Sequence, residues 1–261
     1  MAGATADWYD HPQYFEMVFR DETPMEVAFF KEAFEAYASR HVHRVFEPGC
    51  GGGRLMVSMA ADGYDVTGLD LSEAMVRYAA GQLRRRKLPG AIEHGDMTDF
   101  RFRPKFDASF CTFNTFRHLM TETAVRDHFR CLADSVHPGG IHILGMHLSP
   151  PDIEEYEIER YRAKHGGTDV SVTLRVTDFD RKTRRENLRV NVKATKRSGD
   201  IVRLVSEFPL RLYSARQMRS LLRKIDGDWE HVATHDFDYE IDETQDVDDD
   251  AADSLFILRR R

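Results

Sequence analysis

The stretch FEPGCGGGRL, residues 46–55, places an acid and four glycines between an apolar strand and the start of a predicted helix. A glycine-rich turn at such a point lets a ligand approach the main chain closely and lie over the free N–H groups of the helix N-terminus. Dinucleotide sites use GxGxxG, but Arg54 occupies the position of the third glycine, so that fingerprint is broken. The spacing that does fit is acid-x-G-x-G-x-G, formed by Glu47, Gly49, Gly51 and Gly53.

This stretch resembles motif I of the class I S-adenosylmethionine (SAM)-dependent methyltransferases, and two acids further along agree with it. Asp70 ends the predicted second strand, where a carboxylate can accept hydrogen bonds from both hydroxyls of a ribose. Asp96 and Met97 end the predicted third strand. In the family, an acid there accepts from the adenine amino group, and the next backbone N–H meets a ring nitrogen. The resemblance covers roughly residues 42–148 and implies SAM as the cofactor and S-adenosylhomocysteine as its product.

The resemblance also assigns the remaining cofactor contacts. Glu47 is expected to order the loop or a water near the ligand's ammonium, or else only to favour the dipole of the following helix. Arg54 is expected to pair with the ligand's carboxylate, or to be an ordinary surface residue of the first helical turn. Cys50 is interpreted as a small spacer. The other contacts, which cover adenine or lie beside the methionine part, are expected from Leu71, Met75, Phe113 and Asn114.

Methyl transfer from SAM is an in-line displacement, so most of the catalysis can come from proximity and orientation of the acceptor. An amine acceptor needs only to be deprotonated, whereas a hydroxyl acceptor can need a general base. Two candidate bases are His118, after the fourth strand, and His147, at the end of the fifth, although either could be structural. The third candidate catalytic residue is Tyr14. It belongs to an aromatic cluster that would cover the cofactor as a lid or pack in the core: Tyr9, His11, Tyr14 and Phe15.

Alternating strand and helix patterns from residue 42 to 150 predict an α/β fold with a parallel sheet. We expect a Rossmann-like, seven-stranded, mostly parallel sheet with helices on both faces. After Pro150 and Pro151, three segments alternate apolar and polar residues, which predicts an inserted three-stranded antiparallel meander after the fifth strand. The stretch IEEYEIE, residues 153–159, is interpreted as a charged helix face.

These patterns predict four regions along the chain. They are a helical lid or cap at 1–41, a SAM-binding core at 42–150, an inserted β lobe at 151–212, and a C-terminal helix with the last two strands of the core at 213–261.

Composition limits the classes of function. The chain has 261 residues, is 41% hydrophobic and 31% charged, and has a formal net charge of −7, which argues against a nucleic-acid or membrane-surface partner. The three cysteines form neither a disulfide framework nor a zinc-binding pattern. The acidic stretch at 242–253 lacks the glycine and the glutamate that a calcium-binding loop needs, so no metal is expected. No secretory leader and no long apolar run is visible, so a cytoplasmic location is expected.

The leading interpretation is a methyltransferase acting on a nitrogen or oxygen atom of a small molecule. The inserted lobe resembles that of small-molecule N-methyltransferases acting on glycine, sarcosine or amino sugars. In those enzymes the lobe caps the acceptor pocket or builds a subunit interface. A homodimer through this lobe is therefore a further expectation. An NAD-dependent oxidoreductase is disfavoured by Arg54 and by the late strand SLFILRR. A SAM-binding protein that transfers no methyl group stays open.

Overall fold

The computed structural model describes residues 4–5 and 8–261. A seven-stranded sheet forms the centre, in the order β11-β12-β6-β5-β2-β3-β4. Neighbouring strands are parallel from β6 to β4, while β12 pairs antiparallel with both β6 and β11. The strands are β2 Arg44–Pro48, β3 Asp65–Asp70, β4 Ala91–His94, β5 Phe106–Cys111, β6 Val136–His147, β11 Trp229–His235 and β12 Asp253–Arg260.

Helices cover both faces of this sheet, as the sequence predicts. They are α1 Pro12–Phe19, α2 Thr23–Tyr37, α3 Arg54–Ala61, α4 Glu73–Arg86, α5 Glu122–Ser135 and α6 Ala215–Ile225. Alternate residues of β2 show the two layers: Val45 packs with apolar residues of α2 and α3, and Phe46 packs with those of α5 and α6. No helix in residues 4–5 and 8–261 has the length and apolar character needed to cross a membrane.

A second sheet lies between β6 and α6 in the chain. Its four antiparallel strands are β7 Ile158–His165, β8 Thr168–Asp180, β9 Arg185–Thr195 and β10 Ile201–Arg211, and the short strand β1, Ala4–Thr5, adds parallel to β10. The insertion is thus four-stranded, not three-stranded as expected.

The expectation of a charged helix face at residues 153–159 is wrong. Residues 153–157 form turns and irregular structure, and β7 begins at Ile158. The cause is pairing with β8, which satisfies the backbone of β7 and places Tyr161 against Phe19 of α1, with ring centroids 5.4 Å apart. Such tertiary contacts override the helix propensity of a glutamate-rich segment.

The N-terminal segment, from Trp8 to Phe19, connects the two sheets across the edge where β2 to β5 end. It consists of a 3-10 turn at Trp8–Asp10 followed by α1, which contacts β7 and β8 on one side and α4 on the other. Glu16 fixes the α4 side, because its carboxylate accepts hydrogen bonds from the Tyr78 hydroxyl at 2.5 Å and from the Gln82 amide at 2.7 Å. We call this part of the chain the cap segment.

Candidate active site

A cleft of about 850 Å³ opens at the carboxyl ends of β2, β3, β4 and β5. Open α/β sheets bind ligands at this edge, because the loops that leave the strands diverge there. The cleft is bounded by the glycine loop, by the loops after β3, β4 and β5, and by the cap segment. Of the thirteen cofactor residues expected from the sequence, twelve line it: Glu47, Gly49, Cys50, Gly51, Gly53, Arg54, Asp70, Leu71, Met75, Asp96, Met97 and Phe113.

The glycines of the loop have two different functions. A Cβ atom on Gly49 would lie 2.3 Å from Cγ2 of Thr115, and one on Gly53 would lie 2.8 Å from Cβ of Ala79, so both positions need glycine for packing. Gly51 also has a positive φ, of +52°, but nothing lies within 4 Å of the place where its Cβ would be. The loop therefore presents bare main chain to the cleft at Gly51, directly before α3 begins.

Asp70 holds this loop in place from the end of β3. One carboxylate oxygen accepts the N–H of Gly51 at 2.7 Å, and the other accepts the N–H of Ser72 at 2.8 Å. Burial raises the pKa of Asp70, and the two N–H donors oppose that shift. Each oxygen can accept a further hydrogen bond, so the side chain is able to bind a pair of hydroxyl groups in the cleft.

Glu47 lies under the glycine loop and is 7% exposed. Its Oε2 atom has no hydrogen-bond partner among the described residues. Burial raises the pKa of Glu47 well above its usual value; Arg54 opposes the shift, and Glu26 and Asp70 add to it. An unpartnered carboxyl oxygen at the floor of a cleft is suited to a ligand that carries positive charge.

Arg54 lines the cleft, but it is not an exposed surface residue. Its side chain is 11% exposed and forms an ion pair with Glu26, with Nη1 and Oε1 2.5 Å apart. The guanidinium also donates to Thr23 Oγ1 at 3.1 Å and lies over the ring of Phe113. Sequence reasoning missed Glu26, although this acid falls on the apolar stripe of α2 at helical spacing from Phe30 and is completely buried.

The loop after β4 is held from behind by α5. Asp96 accepts hydrogen bonds from the N–H and the hydroxyl of Thr98, both at 2.8 Å. His128, which is fully buried, donates from its ring to the carbonyl of Met97 at 2.8 Å, and Cys131 donates to the carbonyl of Thr98 at 3.4 Å. Sequence reasoning missed both α5 side chains, because no local pattern marks a contact between residues about thirty positions apart.

Three predicted site residues do not line the cleft. The amide oxygen of Asn114 accepts the backbone N–H of His147 at 2.9 Å, which ties the loop after β5 to the end of β6. The ring of His147 bonds to Asp253 on the neighbouring strand β12. Tyr14 is buried in the cluster between α1 and the second sheet, beside His11.

His118 does line the cleft, and the cap segment supplies its partner. The hydroxyl of Tyr9 lies 3.1 Å from Nε2 of His118, and both residues face the cleft. Phe208 of β10 packs against both rings, with centroids 5.5 Å from Tyr9 and 5.4 Å from His118. The tyrosine that meets the histidine is therefore Tyr9, since the cleft-facing positions of the cap segment are Tyr9, Asp10, Phe15 and Glu16.

The raised pKa of Glu47 predicts a pH-dependent effect of Glu47→Gln on stability. In the wild type this carboxyl contributes fully to stability below its ordinary value near 4.5, and the contribution declines as the pH rises toward the folded-state pKa. The decline approaches about 1.4 kcal/mol per pH unit. Glutamine does not titrate, so this decline is absent from the variant. The unfolding free energy of Glu47→Gln relative to that of the wild type should therefore be higher at pH 8 than at pH 5.

Urea unfolding at both pH values measures this gap. Glu93→Gln, at an exposed carboxylate on β4, is the matched control and should show no such change. An equal difference between Glu47→Gln and the wild type at pH 5 and pH 8 would contradict the prediction.

Comparison with known proteins agrees with this geometry. Residues 45–140 match the family model described as "Methyltransferase domain". A protein of Geobacillus sp. (strain WCH70) named as a methyltransferase is 26% identical over 144 residues, which are 54% of this chain and 56% of the relative. The dTDP-3-amino-3,4,6-trideoxy-alpha-D-glucopyranose N,N-dimethyltransferase of Streptomyces venezuelae is 34% identical over 93 residues, 35% of this chain and 37% of the relative. The chain thus spans about half the length, or less, of these two curated relatives.

The same fold is present in solved structures. SAM-bound CalS10, an amino pentose methyltransferase from Micromonospora echinaspora, superposes with a TM-score of 0.69 at 18% identity and covers 100% of both chains. Residues 45–140 thus carry a methyltransferase domain, and the whole chain has the fold of a SAM-dependent methyltransferase.

The residues present fit SAM as the cofactor. The unpartnered oxygen of Glu47 is suited to the positive charges of the amino-acid and sulfonium part, and the open side of Gly51 leaves room for close approach to the main chain. Asp70 can accept from the two ribose hydroxyls, while Leu71, which is 69% exposed, offers an apolar surface to adenine. Burial raises the pKa of the Cys50 thiol well above its usual value, which suits a spacer and not a nucleophile.

Proposed function

We propose that this protein methylates an amino group of a small molecule, with an amino sugar as the preferred class of acceptor. The observation that carries this proposal is the Tyr9–His118 pair, which faces the SAM cleft and packs against Phe208. The cap segment covers this end of the cleft, and Phe208 of the second sheet packs against the rings of Tyr9 and His118. A covered site favours a small acceptor over a macromolecule, because a large partner would need an open face.

The cofactor supplies, when bound, a methyl group on a positively charged sulfur. The chain must hold the acceptor in line with that methyl group and keep its nitrogen unprotonated. His118 and Tyr9 are the residues proposed for the second task, with His118 accepting a proton from the acceptor ammonium and Tyr9 orienting the imidazole ring. The unpartnered oxygen of Glu47 at the floor of the cleft can also accept a hydrogen bond from the ammonium group of the cofactor.

An amine is favoured over a hydroxyl by the polar groups at this end of the cleft. An alcohol has an ordinary pKa far above 7, so its methylation needs a strong base held close to it, whereas an amine needs only one proton removed near neutral pH. Histidine is the side chain that most readily takes up and releases a proton near neutral pH, so it suits the second task. One curated relative is named as an N,N-dimethyltransferase of a dTDP-linked amino sugar, and one solved structure of the same fold is named as an amino pentose methyltransferase. Both names support an amino sugar as the class of acceptor.

The test is a screen for methyl transfer from radiolabelled SAM to four groups of small molecules. Amino sugars and their nucleotide-linked forms, free amino acids, simple amines and phenols should be compared at equal concentration. We expect label in the amino-sugar group above the others. Transfer to phenols alone would overturn the amine assignment, and transfer to amino acids alone would overturn the sugar assignment.

A further inference from the structure

A second, smaller cavity lies where the inserted sheet meets the core. It has a volume of about 70 Å³ and is walled by α5, α6, the turn between β8 and β9, and the segment that follows β10. A water molecule occupies about 30 Å³ in the liquid, so the cavity has room for roughly two waters or one small tetrahedral ion. It shares no lining residue with the SAM cleft.

The charged side chains around this cavity are mostly positive. Glu122, at the start of α5, forms ion pairs with Arg184 at 3.1 Å, with Lys224 at 3.2 Å and with Arg211. Three cations and one carboxylate leave a net charge of +2. The neighbouring ion pair of Arg117 and Glu186 is buried and neutral, so it does not offset this excess.

Two buried donors at this place lack partners. The hydroxyl of Tyr213, a residue that lines the cavity and is 2% exposed, has no hydrogen-bond partner among the described residues, and the same holds for Nη1 of Arg211, which is 5% exposed. Burial raises the pKa of Tyr213 to about 12, so the hydroxyl keeps its proton and can donate. Leaving such buried donors unpaired is unfavourable, and an acceptor in the cavity would remove that cost.

The pattern of donors favours an anion over water. Arg184 and Arg211 both stack on the ring of Tyr213, with guanidinium carbons 4.8 Å and 5.4 Å from its centroid, so two like charges are held close together. Burial, and to a smaller degree the charge of Arg211, lower the pKa of Arg184, while Glu122 opposes the shift. Oxyanions accept several charge-assisted hydrogen bonds at once, and arginine forks match their geometry.

We propose that this cavity binds one free inorganic oxyanion, phosphate or sulfate, held by Arg184, Lys224 and the hydroxyl of Tyr213. The ion would link the second sheet to α5 and α6. It would also stiffen the start of α5, where Met120, Thr121 and Ala124 line the SAM cleft. This proposal does not depend on the identity of the methyl acceptor.

Calorimetric titration of the full chain with sodium phosphate, in phosphate-free buffer without SAM or acceptor, tests the proposal. We expect saturable one-site binding, and a rise in Tm of about 2–4 °C at ten times the Kd, with sodium chloride of equal ionic strength as the reference. Tyr213→Phe keeps the ring and the cations but removes the donor. It should weaken phosphate binding about tenfold while being at least as stable as the wild type in phosphate-free buffer.

Lys224→Gln provides a second test at an exposed position that tolerates substitution, and it should also weaken phosphate binding about tenfold. Arg223→Gln, on the same helix and exposed, is the matched control and should bind like the wild type. Absence of saturable binding, or equal binding by all four proteins, would overturn the site. A nucleoside diphosphate that binds at the same residues more tightly than phosphate would assign them to a larger ligand and overturn the free-ion proposal.

Discussion

Replacement of Asp70 by alanine should weaken SAM binding by at least tenfold, and this is the largest effect on cofactor affinity that we expect from one side chain. The variant loses the proposed ribose acceptor, and loss of a buried hydrogen-bond acceptor costs roughly 1–3 kcal/mol. It also releases the N–H groups of Gly51 and Ser72, so the loop that presents bare main chain to the cleft loses its support from β3. Both effects weaken binding, and neither depends on the acceptor.

Isothermal titration with SAM gives the dissociation constants for this comparison, and circular dichroism shows that the variant is folded. Asp99→Ala is the matched control, because Asp99 is an exposed aspartate after the neighbouring strand that does not line the cleft. We expect it to bind SAM like the wild type. An unchanged dissociation constant in a folded Asp70→Ala protein would remove the ribose role from Asp70.

The parallel sheet and the cofactor end of the cleft could be predicted from the sequence, because both follow from local signals. A strand, a glycine turn and a helix are consecutive in the chain, and the carboxyl ends of adjacent parallel strands meet at one edge. Glu47, Asp70 and Asp96 therefore converge once the strand order is known. Asn114 fails to line the cleft because its left-handed backbone, with φ of +65°, places its amide toward β6, and no sequence pattern reveals that conformation.

The proposed acceptor end of the cleft could not be predicted to the same degree, since it is built by contacts between distant segments. Tyr9 reaches His118 only because α1 is held between the second sheet and α4, and that placement depends on Glu16 meeting Tyr78 across 62 positions. The aromatic cluster near the N-terminus was enough to predict a lid or a packed helix. Which tyrosine faces the cleft depends on the direction of α1, so Tyr14 and Tyr9 could not be separated by spacing alone.

Burial explains why the charge of a residue can be predicted from the sequence while its partner cannot. A glutamate within an apolar helical stripe, such as Glu26, signals a buried carboxylate but not its partner. In the structure that partner is Arg54, whose side chain is held beneath the cleft by Glu26 and Thr23. The sequence therefore indicates which side chains carry charge, while the tertiary structure decides whether that charge is available to a ligand.

Replacement of His118 by alanine should lower kcat for the best acceptor of the screen by about 100-fold or more, in the range that loss of a positioned general base produces. The dissociation constant of SAM should stay unchanged, because His118 lies at the proposed acceptor end of the cleft. The deficit should shrink as the pH rises toward the pKa of the acceptor amine, since the fraction of free amine then grows without help from the protein. Tyr9→Phe should show a smaller deficit with the same pH trend.

Initial rates at saturating SAM between pH 6.5 and pH 9.5 measure this behaviour. His41→Ala, at an exposed histidine outside the cleft, is the control and should follow the wild-type profile. His147→Ala separates the two histidines marked by the sequence: its ring bonds to Asp253 and does not line the cleft, so its kcat should stay near the wild-type value. A His118→Ala deficit that is constant across this range would mean that the side chain positions the acceptor and does not remove its proton, because only proton removal can be replaced by raising the pH.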